Sequence, residues 1–292
     1  MKCQVGIVTN FGPNLSSALG VADQLEDSLL GFGHSVAPRA IVGKQAQPQD
    51  PGLLAAIKHQ IRRRVSAEKY QRYLRGSDST ALWIRNLYVA ASKVRHKHLS
   101  KDQRIGSSID GLITRKHYEV WRSGLADPSV DYIFVIEDDV RTKPNSPNSL
   151  GKTLRCIASS RPLYVDLAGG FAQQRIARAV IDTESFPVSD GASECYFLPK
   201  LTTNTAAAYA VSRSTAAFLC STFTSKSDFS LFAVDTFMNH AFTLLKASDK
   251  ECCVWSVPPV FSHGSFTGET TSWRTGGASD SQDVAETVGR KK

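Results

Sequence analysis

Asp131-Tyr-Ile-Phe-Val-Ile-Glu-Asp-Asp-Val140 is the stretch from which the fold is best understood. The residues after Asp131 are β-branched or aromatic without polar alternation, which predicts a strand buried on both faces, as in a parallel sheet covered by helices. The strand runs directly into three acids, Glu137, Asp138 and Asp139. Ligands bind at the carboxyl ends of strands in open α/β sheets, and adjacent carboxylates repel one another unless something compensates their charge. A divalent cation is one hypothesis for that compensation, and an acidic turn that merely starts a loop is the other.

The composition is that of an ordinary globular protein. The chain has 292 residues, of which 41% are hydrophobic and 21% charged. It contains no apolar run long enough to span a bilayer, and Met1 leads directly into a predicted strand without the pattern of a signal peptide. We therefore expect a cytoplasmic protein. The six cysteines include no C-x-x-C pair, so reduced thiols are expected rather than zinc ligands or disulfides.

Positive charge is concentrated in one part of the chain. The formal net charge is +8, and basic residues far outnumber acidic ones between Lys58 and Arg122, whereas the remainder is slightly acidic. This asymmetry points to an anionic partner: nucleic acid, an anionic membrane surface or a phosphorylated ligand. The runs Arg62–Arg64 and Arg95–His98 are candidates for phosphate contacts, and a solvated helix face is the alternative.

The N-terminal segment predicts the opening of a nucleotide-binding βαβ unit. Val5–Thr9 reads as a strand, the Gly/Pro/Asn-containing loop begins at Asn10, and apolar residues at helical spacing follow. The loop lacks G-x-G-x-x-G, so a dinucleotide is not indicated. Thr9 and Asn10 are candidates to contact a nucleotide base and ribose, and a plain strand-to-helix connection is the alternative.

The remaining patterns alternate between helix and strand. Two basic helices are predicted at residues 53–74 and 79–98, then a turn at 104–110 and a helix at 112–123. Further predicted elements are strands at residues 163–167, 195–198, 206–211 and 253–257 and helices at residues 149–160 and 232–245.

No linker divides these elements, so we predict one α/β domain over residues 1–270. It carries a basic helical insertion at about residues 53–104. Residues 271–292 are rich in Gly, Ser, Thr and charge, which predicts a flexible tail.

Four segments together resemble the family 25 glycosyltransferases, bacterial lipopolysaccharide-type sugar transferases of GT-A fold. The first is His117-Tyr-Glu-Val-Trp121 followed by the acidic strand Tyr132–Val140. The others are Ala206-Ala-Ala-Tyr-Ala-Val-Ser-Arg-Ser-Thr-Ala-Ala217, Val234-Asp-Thr-Phe-Met238 and Pro258-Pro-Val-Phe-Ser-His-Gly-Ser265. The resemblance covers residues 104–265. It implies a single GT-A-like domain with a Rossmann-like, mostly parallel central sheet flanked by helices.

The resemblance also implies an activity and a site. The activity is that of a metal-dependent inverting hexosyl- or pentosyltransferase, which moves a sugar from a nucleotide sugar, expected to be a UDP-sugar, to a hydroxyl of a glycan or glycolipid. Asp139 would bind Mn²⁺ or Mg²⁺, and Glu137 or Asp138 would face the ribose and base. His263 is the candidate second metal ligand, with a surface-loop histidine as the alternative.

Inversion needs a base that takes the acceptor's proton. Asp235, near a predicted helix N-terminus, is the candidate, and a helix-capping or solvated aspartate is the alternative. His117 and Trp121 share a helix face at i, i+4, which favours a core-packing pair over a catalytic histidine.

Departures from the family leave other functions open. Lys116 stands where the family usually has Ser, and the basic stretch at residues 58–104 has no counterpart. That stretch is compatible with peripheral contact with an anionic membrane, or with a nucleic-acid-binding protein or metal-dependent nuclease. Few interleaved aromatics and a single acidic cluster argue against nucleic acid. A degenerate transferase that acts as a binding scaffold is the third hypothesis.

Overall fold

The computed structural model describes most of the chain outside the basic stretch and the tail. The described residues are 1–9, 14–43, 50–52, 54–59, 61–62, 65, 101–168, 194–198, 200–203, 206–225, 232–245 and 253–264. They form three layers, with a central β-sheet between two layers of helices. The predicted α/β class, with a mostly parallel sheet flanked by helices, is confirmed.

In the described part of the chain, seven strands form the central sheet. In chain order they are β1 (Lys2–Val8), β2 (Ser35–Val42), β3 (Tyr132–Glu137), β5 (Tyr164–Asp166), β6 (Glu194–Leu198), β7 (Ala208–Ser212) and β8 (Cys253–Val257), and their spatial order is β2-β1-β3-β7-β5-β8-β6. β7 and β6 run against the other five strands. Every residue of β3 is buried, as its unbroken apolar sequence predicts.

Helices cover both faces of this sheet. They are α1 (Leu15–Gly31), α2 (Lys101–Ala126), α3 (Ser146–Ser160), α4 (Arg213–Ser225) and α5 (Val234–Leu244). α1 and α3 bury their apolar stripes against one face, and α2, α4 and α5 pack on the other. In α1 the buried residues recur at helical spacing, from Ala18 to Leu29, which is why this segment is a helix and not a strand.

A small second sheet lies beyond the carboxyl end of β3. β4 (Val140–Thr142) pairs antiparallel with β9 (Phe261–His263), so that Val140 lies opposite His263. Neither strand was predicted as a separate element, because runs of three residues carry no periodic signal.

One predicted boundary is wrong. α2 begins at Lys101 and continues through residues 104–110, where a turn was predicted. Gly106, Ser107 and Ser108 suggested a break, but such local preferences are weak and do not interrupt this helix. Most of the basic stretch and residues 265–292 lie outside the described residues, so the predicted insertion and flexible tail stay predictions. None of the described helices is both long and apolar enough to cross a bilayer.

Candidate functional site

Glu137, Asp139 and His263 converge at the carboxyl end of β3. One potential ligand atom from each lies within 4.8 Å of the others. His263 Nδ1 is 3.4 Å from Asp139 Oδ2, and the Asp139 side chain is almost fully buried. Ligands about 2.1 Å from one small divalent ion are separated by up to about 4 Å, so the three atoms need only a small inward shift to share an ion. This buried Glu/Asp/His group could bind a metal.

The β4–β9 ladder places His263 in this group. The chain leaves β3, turns through Asp138 and Asp139, and enters β4, against which β9 aligns. The backbone N–H of Gly264 donates to the Asp139 carbonyl over 2.7 Å and closes the ladder at its site end. Phe261 is fully buried in the core beneath and anchors β9. Two short strands thus join distant parts of the sequence at one point.

The surroundings of Glu137 disfavour the ionised form of its carboxyl group. Burial raises its pKa well above the ordinary value, and the neighbouring charge of Asp139 raises it further, whereas His263 lowers it. A bound cation would relieve the same repulsion, because it favours the ionised form of each carboxylate. The donor set of two carboxylates and one imidazole suits a divalent ion that accepts both oxygen and nitrogen ligands.

His117 on α2 contacts the Glu137 carboxylate. Its Nε2 lies 2.9 Å from Glu137 Oε1, and its Nδ1 lies 2.8 Å from the Tyr209 hydroxyl. Trp121, one turn further along α2, donates its indole N–H to the same hydroxyl over 2.9 Å. His117 is fully buried, and burial together with the nearby charge of Lys116 lowers its pKa to about 3, so the imidazole is neutral.

Asp138 belongs to a different set of contacts. The Thr9 hydroxyl donates to Asp138 Oδ2 over 3.0 Å, and Lys116 Nζ donates to the Thr9 carbonyl over 2.6 Å. All three residues are buried. Thr9 follows β1, the neighbour of β3, so this group occupies the same edge of the sheet as the Glu/Asp/His group. Lys116 thus joins this group through the carbonyl of Thr9.

Asp235 lies in the first turn of α5 and is partly buried. Its Oδ1 accepts from the backbone N–H of Thr236 over 2.6 Å, so it has the local contacts of an aspartate at a helix start. Its charge also contributes to raising the pKa of Glu137, which places it near the acidic group. Both hypotheses for this residue, helix-start contact and proximity to the site, are therefore compatible with its position.

The structure thus brings most of the predicted site residues to one sheet edge. Thr9, Asp138, Asp139 and His263 lie there, and Asn10 is outside the described residues. Glu137 lies with Asp139 and His263, whereas Asp138 lies with Thr9. The contact between His117 and Glu137 was not predicted, because i, i+4 spacing to Trp121 explains a histidine by packing alone. The sequence signal for this contact was the glutamate at the end of β3. The structure shows that α2 covers the face on which this glutamate lies.

Comparison with known proteins adds little to this geometry. No protein-family model matches the chain, and no curated protein matches it. The crystal structure of a glycosyltransferase involved in the glycosylation of the major capsid of PBCV-1 is similar to 75% of this chain, at 10% identity and a TM-score of 0.27. The match spans 65% of that glycosyltransferase. Similarity at this level carries no argument about function, and the resemblance to family 25 stays a hypothesis based on the motifs.

Proposed function

We propose that this chain is a metal-dependent glycosyltransferase that moves a sugar from a nucleotide sugar to a hydroxyl of a glycan or glycolipid. The observation that carries the proposal is the buried group of Glu137, Asp139 and His263 at the carboxyl edge of an α/β sheet, beside the contact between Thr9 and Asp138. Nucleotide ligands bind at such edges. The motif resemblance adds the reaction class, an inverting transfer from a UDP-sugar.

In this proposal Asp139, Glu137 and His263 hold Mn²⁺ or Mg²⁺. The bound ion would supply positive charge where the diphosphate of the departing nucleotide becomes more negative. Carboxylate ligands suit both ions, and the imidazole of His263 is better suited to Mn²⁺. Burial of Glu137 and Asp139, with His263 only partly exposed, keeps water from weakening these electrostatic interactions.

The other residues at this edge divide the remaining tasks. Thr9 and Asp138, with Asn10, would contact the ribose and base. Asp235 would take the proton from the acceptor hydroxyl, since it lies in the first turn of α5 and its charge acts on Glu137. The basic stretch at residues 58–104 would contact an anionic acceptor or membrane surface, in a protein that we expect to be cytoplasmic.

A ligand screen by thermal unfolding tests the proposal. Wild-type protein is scanned against nucleotides and nucleotide sugars, each with Mn²⁺ and with EDTA. A ligand at 100 times its Kd stabilises the folded state by about 2.7 kcal/mol, which such a scan detects. We expect stabilisation by a uridine or guanosine diphosphate sugar that disappears with EDTA. Asp139→Asn and His263→Ala should both lose this effect.

Asp127→Asn is the matched control, since Asp127 lies at the opposite edge of the sheet, where it pairs with Lys2. It should retain the stabilisation by nucleotide and Mn²⁺. If Asp139→Asn binds the nucleotide with Mn²⁺ as tightly as wild type does, Asp139 is not a ligand and the proposal fails. Stabilisation by DNA or RNA, with none by any nucleotide sugar, would instead favour a nucleic-acid-binding protein or nuclease.

A further inference from the structure

The hydrogen-bond chain behind Glu137 has a direction that its donors and acceptors determine. The indole N–H of Trp121 can only donate, so the Tyr209 hydroxyl oxygen accepts from it. The hydroxyl of Tyr209 can then donate its own hydrogen to a second group. Among the described residues, its other polar neighbour is His117 Nδ1, at 2.8 Å. With that hydrogen on Nδ1, the single proton of a neutral His117 lies on Nε2, facing Glu137 Oε1 at 2.9 Å.

If the hydrogen bonds of this chain ran in the opposite direction, fewer of its donors would have an acceptor. If Nδ1–H donated to Tyr209, the hydroxyl oxygen would accept from both Trp121 and His117, and the tyrosine hydrogen would have no acceptor among the described residues. Only the first direction gives each of these hydrogens an acceptor, with His117 Nε2–H donating to Glu137 Oε1.

We infer that Trp121 and Tyr209 fix the tautomer of His117, so that its Nε2–H donates to Glu137 and orients this carboxylate as a ligand for a divalent cation. The inference rests on the proposed function, because it concerns the same metal group. His117 and Tyr209 are positioning residues in this account, since they act on the ion through Glu137. Partners behind a metal ligand typically change metal affinity 10–100-fold when they are removed.

Two measurements test the inference. The first is a long-range ¹H–¹⁵N correlation spectrum of protein with ¹⁵N-labelled histidine, in which the signals of His117 are those that His117→Gln lacks. We expect a neutral ring with its proton on Nε2. A proton on Nδ1 in the wild-type protein would overturn the inference, and this measurement requires neither metal nor activity.

The second measurement is Mn²⁺ affinity by titration calorimetry. Tyr209→Phe and His117→Leu should raise the Kd about 10–100-fold. His117→Gln should retain most of the affinity, because its side-chain amide can still donate to Glu137. This rescue separates positioning of Glu137 from a general loss of packing.

Tyr164→Phe is the matched control. Tyr164 is equally buried on the same face of the sheet, and its hydroxyl contacts Thr203 and Asp166 rather than His117. If Tyr209→Phe binds Mn²⁺ as tightly as Tyr164→Phe does, Tyr209 has no positioning role and the inference is wrong. If wild-type protein binds no Mn²⁺ although its His117 proton is on Nε2, the hydrogen-bond chain stands and the proposed metal function fails.

Discussion

Three consecutive acids end up in different environments, although they are adjacent in the sequence. Glu137 is the last residue of β3 and contacts His117, while Asp138 turns toward Thr9. Asp139 lies against His263. Each acid therefore has its own neighbour.

Asp235 provides the residue-scale test of the reaction. Asp235→Asn keeps the size of the side chain but cannot accept the acceptor's proton, so we expect turnover to fall about 10²–10⁴-fold with nucleotide affinity unchanged. Steady-state kinetics with the donor sugar found in the ligand screen would measure this. Thr236→Val, which removes a hydroxyl 3.3 Å from the same carboxylate, is the control and should keep near-normal turnover. Near-normal turnover in Asp235→Asn would leave Asp235 with only its contacts at the start of the helix.

The residue types and their order predicted where the site would be. They did not predict which side chains contact each other within it. An apolar strand ending in acids is visible in the sequence at Tyr132–Asp139, and strand ends share an edge in this class of fold. The division of Glu137 from Asp138 depends on side-chain direction at the end of β3, and the contact with His117 depends on how α2 sits on the sheet. Neither is specified by local spacing.

At the scale of elements, α2 approaches the sheet unusually closely because two glycines lack side chains. A Cβ on Gly6 would lie 2.2 Å from Val120 Cγ1, and one on Gly124 would lie 2.4 Å from Ile133 Cδ1. The helix that carries Lys116 and His117 is therefore held against β1 and β3 at a distance that larger residues would not allow.

Gly6→Ala tests this close packing. The added methyl group overlaps Val120, so we expect a loss of about 1–3 kcal/mol in the free energy of unfolding, measured by urea denaturation. Val120→Ala in the Gly6→Ala background should restore part of that loss, since it removes the overlapping methyl groups. Gly20→Ala on α1 is the control: a Cβ there meets nothing within 4 Å, and alanine favours helix, so stability should be unchanged or slightly higher. An unchanged free energy of unfolding in Gly6→Ala would show that α2 can move away without cost.

Elements with a strong internal pattern were predicted well, and short or tertiary-dependent ones were not. β8 has the predicted bounds, since its apolar run is complete in itself. β4 and β9 are too short to show a periodic pattern, and they form because each strand pairs with the other. The start of α2 was missed because Gly106 and its serine neighbours favour a break locally.

At the scale of the whole molecule, the core contains thiols and phenols that resist ionisation. Burial raises the pKa of Cys3 and of Cys220 to about 12, and it raises the pKa of Tyr132, Tyr164 and Tyr209 above the ordinary value. These groups keep their protons in the folded chain and lose them in the unfolded chain as the pH passes their ordinary values.

Stability should therefore fall as the pH rises above about 9, the ordinary pKa of a cysteine thiol. Well above its ordinary pKa, each such group contributes a slope that approaches about 1.4 kcal/mol per pH unit, because the unfolded state then binds one proton fewer than the folded state. Urea denaturation between pH 7 and 10 measures the slope. Cys3→Ala should reduce the slope by one group's share even if the variant is less stable at pH 7. A slope identical to that of wild type would contradict the assigned burial effect at Cys3.

The pairing of β4 with β9 also determines when the group of Asp139 and His263 can form during synthesis on the ribosome. Asp139 leaves the ribosome long before His263, and domains fold as units once enough of the chain has emerged. Until Phe261–His263 is available, the acids at the end of β3 lack the strand that brings the imidazole to them. A nascent chain that stops before Phe261 therefore has the buried acids of β3 without the imidazole that lies beside Asp139 in the folded chain.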